Sequence, residues 1–158
     1  MSSDVFDPIL FLQATTEQAS ERRDPLPVGD YTAVIGEPVA KRWTSDKEDA
    51  KVKSGVRLEV PLIIQIPPEV QEKLGYDSDT FTVRDSLMLD VTADGRSLDY
   101  SKGKNNQLRV YREATGKNQA GSPFAPAQLQ GCVVLVKLKH DLYNGVLQEK
   151  VAGVAKLG

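Results

Sequence analysis

The pair Asn144-Gly145 separates two apolar, alternating runs, CVVLVKLKH and VLQEKVAGVAKL. A two-residue type I′ turn needs positive φ at both central residues, and Asn-Gly satisfies that need best. The chain therefore closes with a β-hairpin over 132–157. A lone hairpin is marginal in water, so other strands must pack with it. Leu58, Val60, Leu62, Ile64 and Ile66 occupy every second position, the mark of a strand with one buried face over 56–66. Phe81, Val83, Leu87, Leu89 and Val91 share one parity and predict a strand over 81–91, which Asp85 interrupts as a bulge or exposed strand end. Tyr31, Ala33 and Ile35 begin a strand over 29–43, with Gly36 and Pro38 marking a bulge or an edge.

Helical spacing is sparse. Leu108, Tyr111 and Ala114 predict a helix near 106–115, capped by Asn105 or Asn106 and ended by Gly116. Shorter helical turns follow Pro8, Pro68 and Pro126, and Gly75 and Gly131 end the last two. Residues 44–55 and 101–106 read as polar loops, and Leu98 and Tyr100 suggest a short return strand after the Asp94-Gly95 turn. A chain of 158 residues predicts one domain. Residues 1–28 form an N-terminal arm, partly flexible, and residues 29–158 the folded domain. The class is mainly β. A small five-stranded Greek-key barrel of OB-like topology fits, with a helix between strands three and four; a β-sandwich is the alternative.

Several chemistries find no support. Cys132 is the only cysteine and His140 the only histidine, which excludes an intramolecular disulfide and a multi-cysteine or His-rich metal site. A nucleophile pair would have to use His140, which reads as an exposed residue at a strand end, and Cys132 reads as a buried structural thiol. Neither GxGxxG nor GxxxxGK[ST] is present. Asp77, Asp79 and Asp90 read as loop caps more readily than as a metal site. The expectation is a protein that is not an enzyme and uses no cofactor. No apolar run approaches the ~18 residues of a membrane helix, and no signal peptide is visible, so a reducing cytoplasm is expected.

Charge is laid out asymmetrically. Residues 1–30 carry net −4 and residues 81–158 net +4, although the whole chain is only −2. The segment 96–117 alone is +4. Proteins that hold single strands combine such a positive track with aromatic faces on which bases stack. Here cations and aromatics interleave at Lys41, Arg42 and Trp43; at Tyr100, Lys102 and Lys104; and at Arg109, Tyr111 and Arg112, with Lys117 closing the basic segment. Lys51, Lys53 and Arg57 lie close to the first group in sequence. These residues, Tyr111 excepted as core, form the candidate DNA-binding set. Trp43 is the stacking candidate, and Arg109 and Arg112 share one helix face. The expected function is sequence-tolerant binding of single-stranded DNA. A protein-interaction or virion structural module without nucleic-acid binding is the alternative, and Ile9, Phe11 and Leu12 of the arm suit subunit docking in either case.

The segments PLPVGDYTAVIGE (25–37) and LRVYREATGKN (108–118), the Leu129–Gly131 step and VVLVKLKHDLYNGVLQEKVAGVA (133–155) together resemble small bacteriophage replication-module proteins. The likeness spans about residues 25–156. It implies an OB-fold, single-stranded-DNA binding or a recombination accessory role, replication or recombination proteins as partners, and the host cytoplasm as location. Its motifs are turn glycines and strand apolars, so it assigns no residue to DNA contact.

Overall fold

The structure, a computed structural model, describes residues 5–44 and 54–157. Six strands form one antiparallel sheet: β1 (Gly29–Ile35), β2 (Val39–Thr44), β3 (Ser54–Gln65), β4 (Thr80–Leu89), β5 (Val133–Tyr143) and β6 (Val146–Ala155). β1 and β2 are two halves of one bent strand, broken at the Gly36–Pro38 step. β2 pairs with the first half of β3, from Val39↔Glu59 to Thr44↔Ser54. β1 pairs with its second half, from Ala33↔Ile64 to Ile35↔Leu62. β4 runs along the other edge of β3, and β5 returns beside β1. Counting β1–β2 as one, this is the five-stranded Greek-key order expected for an OB-like barrel. The sheet stays open between β4 and β6, which pack together without a strand pairing among the described residues.

Local chemistry sets the elements. Asp7 accepts from the N–H groups of Ile9 and Leu10 and so starts α1 (Pro8–Gln13). Pro68 opens α2 (Pro68–Leu74), and Gly75 ends it in the left-handed conformation, φ 70°. The Asn144-Gly145 turn has φ of 51° and 78°, as a type I′ turn requires. β4 ends at Leu89, and the anticipated return strand is a single bridge, Val91↔Leu98.

Leu58, Val60, Leu62, Ile64 and Ile66 line one face of β3 and meet Ala33, Ile35, Val83, Leu87, Val134 and Val136 in the core. α3 (Asn106–Ala114) packs against both β4 and β6 and buries Leu108, Tyr111 and Ala114. Asp85 points to the same side as the core residues of β4, where it accepts a 2.6 Å hydrogen bond from the Tyr111 hydroxyl. It is a polar anchor for α3 rather than a bulge.

The last residues of the arm belong to this packing. Leu26 is fully buried; its N–H donates to Glu149 Oε2 (3.2 Å) and its carbonyl lies 2.7 Å from His140 Nε2. His140 and Glu149 are cross-strand partners, so one pair grips both sides of the Leu26 main chain. His140 is thus half-buried and engaged, not the free strand-end histidine the sequence suggested. Arg23 pairs with Glu149 at 2.7 Å and stacks over Phe81 (4.2 Å) and Tyr76 (5.0 Å), while the Tyr76 hydroxyl donates to the Asp24 carbonyl. Residues 23–27 form a strap across the β4–β6 seam. Upstream of it, α1 is exposed throughout.

Candidate nucleic-acid interface

Side chains alternate across a strand, and registered neighbours share a face. On β3 the core face holds Leu58 and Val60, so Arg57 and Glu59 face outward. Registration places Lys41 of β2 beside Arg57, and Arg57 beside Met88 of β4. Trp43 stands beside Gly55 on the same outer face. Arg42 has the opposite parity, so the Lys41-Arg42-Trp43 cluster read from the sequence is split between two faces.

Trp43 lies over Gly55. A Cβ added at Gly55 would meet Trp43 ring atoms at 2.8 Å, so only glycine lets the indole lie this close to the sheet. This is a half-buried aromatic platform. The cations next to it are partly neutralised: Glu59 pairs with Lys41 (3.0 Å) and with Arg57 (3.2 Å). The Lys41 hydrogen bond holds the Glu59 carboxyl below its ordinary pKa, so Glu59 stays charged. Lys51 and Lys53 lie outside the described residues.

The second group gathers around α3. Tyr100, Lys102, Lys104, Arg109 and Arg112 line one groove of about 210 Å³, together with Asn106 and Asn118. Arg112 is the fixed member: its guanidinium lies 4.4 Å from the Phe124 ring and 5.9 Å from the Tyr100 ring, and its Nε donates to the Lys117 carbonyl (3.1 Å). Arg109 is exposed, with Glu113 at 3.9 Å. Lys102 and Lys104 are exposed in the loop before the helix. Lys117 follows the other end of α3 and does not line this groove.

Asn105 sets where this loop sits. It holds φ 54° and is buried, but its side chain does not cap α3. Instead its Oδ1 accepts from Asp90 N–H (2.8 Å) and its Nδ2 donates to the Asp90 and Asp99 carbonyls (2.9 and 3.0 Å), while Asp90 Oδ2 accepts from its main-chain N–H (2.7 Å). Asp90 directly follows β4, and Val56↔Leu89 is the final β3–β4 pair. One step further along that register runs Gly55, then Asp90, then Asn105. The row that begins at Trp43 on the outer face therefore leads along the register toward Asp90, which is tied to Asn105 at the start of α3. Phe124, Asn118, Glu59 and Gly55 escaped the sequence reading; none carries a local signal, because each acts through a neighbour distant in sequence.

Other polar groups fall elsewhere. Among the described residues, no three His, Cys, Asp or Glu side chains are grouped to hold a metal ion. No helix of the described residues is long and apolar enough to cross a membrane. Cys132 is half-buried beside the core, its thiol 3.6 Å from the Gln128 carbonyl. No family model matches the chain, and no curated protein matches it.

Proposed function

We propose that this protein binds single-stranded DNA with little sequence preference, through Trp43 and the basic loop. The observation that carries the reading is the Trp43–Gly55 platform in a row that leads, through Asp90 and Asn105, to the Lys102–Arg112 groove. Neighbouring strands are ~4.8 Å apart, so β2 to β4 spans ~10 Å and α3 extends the track further. A base stacks on the indole while phosphates meet Lys41 and Arg57, then Lys104, Lys102 and Arg109. Arg112 and Tyr100 shape the groove: the Arg112 guanidinium lies over the Phe124 and Tyr100 rings, and the Tyr100 hydroxyl donates to the Phe124 carbonyl (3.3 Å). Stacking is indifferent to base identity and cations read only phosphate, which is why no sequence preference follows. An OB-like strand-two and strand-three face is a common seat for oligonucleotides, and that analogy favours the same surface.

A place in phage DNA replication or recombination, in the host cytoplasm, follows from the resemblance given above. The test is a titration of oligo-dT and of matching duplex against the wild type, Trp43→Ala and Lys102→Ala/Lys104→Ala. Single-strand affinity should fall by ~1–3 kcal/mol for Trp43→Ala. The double lysine variant should lower the salt slope by roughly 1–2. Equal affinity for duplex and single strand would overturn the reading.

A further inference from the structure

The seam between β4 and β6 is a groove of about 410 Å³, walled by Phe81–Arg84 on one side and Val146–Glu149 on the other. Hydrogen bonds alternate along an antiparallel strand. Met88 N–H points away from β3, because it donates to Gln107 Oε1 (2.8 Å). Thr82, Arg84 and Ser86 share its parity, so their main-chain groups also point outward, and their N–H groups have no partner among the described residues. Only another peptide backbone offers the alternating donors and acceptors that match such an edge. Nucleic acid does not. Arg22 and Arg84 line the groove, and neither makes an ion pair among the described residues, so the matching peptide is acidic.

The same chain carries such a peptide. Residues 1–21 contain Asp4, Asp7, Glu17 and Glu21 and no Lys or Arg. Residues 14–22 lie outside any helix or strand and are exposed, and Phe6, Ile9, Leu10, Phe11 and Leu12 are each 65–82% exposed. A contiguous apolar surface of that kind marks an interaction site. The chain's own domain does not cover it. Leu142 and Leu147 are cross-strand partners, 67% and 49% exposed, and Leu147 lines the groove.

We infer that the arm of one copy docks in the β4–β6 groove of a second copy. The extended segment 14–21 adds to the free edge of β4, Glu17 and Glu21 face Arg84 and Arg22, and the apolar residues of α1 cover Leu142 and Leu147. Arg23 stays on its own domain, so only Arg22 crosses between copies. The reach from Arg23 to Glu21 is ~7 Å, so the two grooves must abut at the twofold axis. The exchange is reciprocal, so a twofold dimer buries the interface twice. The inference does not depend on DNA binding.

Light scattering on the full chain after size exclusion, over a wide concentration range, tests it. The expected mass is twice the 17.3 kDa of one chain. Arg84→Glu should weaken the dimer by roughly tenfold or more, and adding Glu17→Arg, which reverses the charge facing position 84, should restore it. Phe11→Ser and the Glu17→Arg/Glu21→Arg pair alone should each weaken it too. Those arm variants lie outside the packed domain, so their result stands even if Arg84→Glu impairs folding. A monomer at every concentration overturns the inference, as does a dimer indifferent to both arm variants. A monomer whose arm resists proteolysis overturns it as well, since the arm would then occupy its own domain.

Discussion

Trp43 lies flat because Gly55 has no side chain to lift it. Gly55→Ala forces the indole outward while leaving the strand pattern intact. It should weaken single-strand binding in the same direction as Trp43→Ala, by up to ~1–3 kcal/mol, with a small change in urea stability. Unchanged binding would remove Trp43 from the interface. A second residue-scale effect concerns pH. Burial, reinforced by Asp85, pushes the Tyr111 phenol far above its ordinary pKa. Below about pH 10 both the folded and the unfolded chain keep that proton. Above it the unfolded chain releases the proton and the folded chain does not, so stability falls as pH rises. The loss should approach ~1.4 kcal/mol per pH unit from this residue. Tyr31 and Tyr76 shift in the same direction, in both cases mainly through burial. Urea unfolding at about pH 8 and about pH 11 should show the decline, and Tyr111→Phe should flatten it. The core role of Tyr111 was legible from its spacing with Leu108. Its tie to Asp85 was not, because the pair is 26 residues apart in sequence.

At the scale of elements, the strap is the part that sequence periodicity hides. Pro25-Leu26-Pro27 reads as a stop, because proline removes main-chain donors and ends regular structure. Yet Leu26 is fully buried and held from both sides by His140 and Glu149. The strands were readable because alternation and turn chemistry are local. The strap depends on partners more than a hundred residues away, and no local rule reports them. Arg23 supplies the charge for Glu149, whose side chain is only 8% exposed. Arg23→Ala leaves that carboxylate without its guanidinium and exposes the seam. Removing one partner of a fully buried pair costs 3–5 kcal/mol; with Arg23 part-exposed, about 2 kcal/mol is expected in urea unfolding. A change below ~0.5 kcal/mol would make the strap a passive tether. Arg23→Lys should recover part of the loss, since an ammonium keeps the charge but not the planar stacking on Phe81.

For the whole molecule, the decisive quantity is where charge lies, not its sum. A net of −2 does not describe a chain whose first thirty residues carry −4 and whose segment 96–117 carries +4. The sequence located the basic stretch, but strand parity was needed to separate Arg42 from Lys41. Registration was needed to join Trp43 to the loop through Gly55, Asp90 and Asn105. It also revealed Glu59 between Lys41 and Arg57. Glu59→Gln frees both cations, so it should tighten single-strand binding and steepen its salt dependence by roughly one to two counterions. Weaker binding in that variant would mean that Glu59 orients the cations rather than competing for them. The most direct test of the account is oligo-dT binding by the wild-type chain at low and at moderate salt, with duplex as control. Single-strand binding should fall steeply with salt, and the duplex interaction should be much weaker. No single-strand binding at low salt would contradict it.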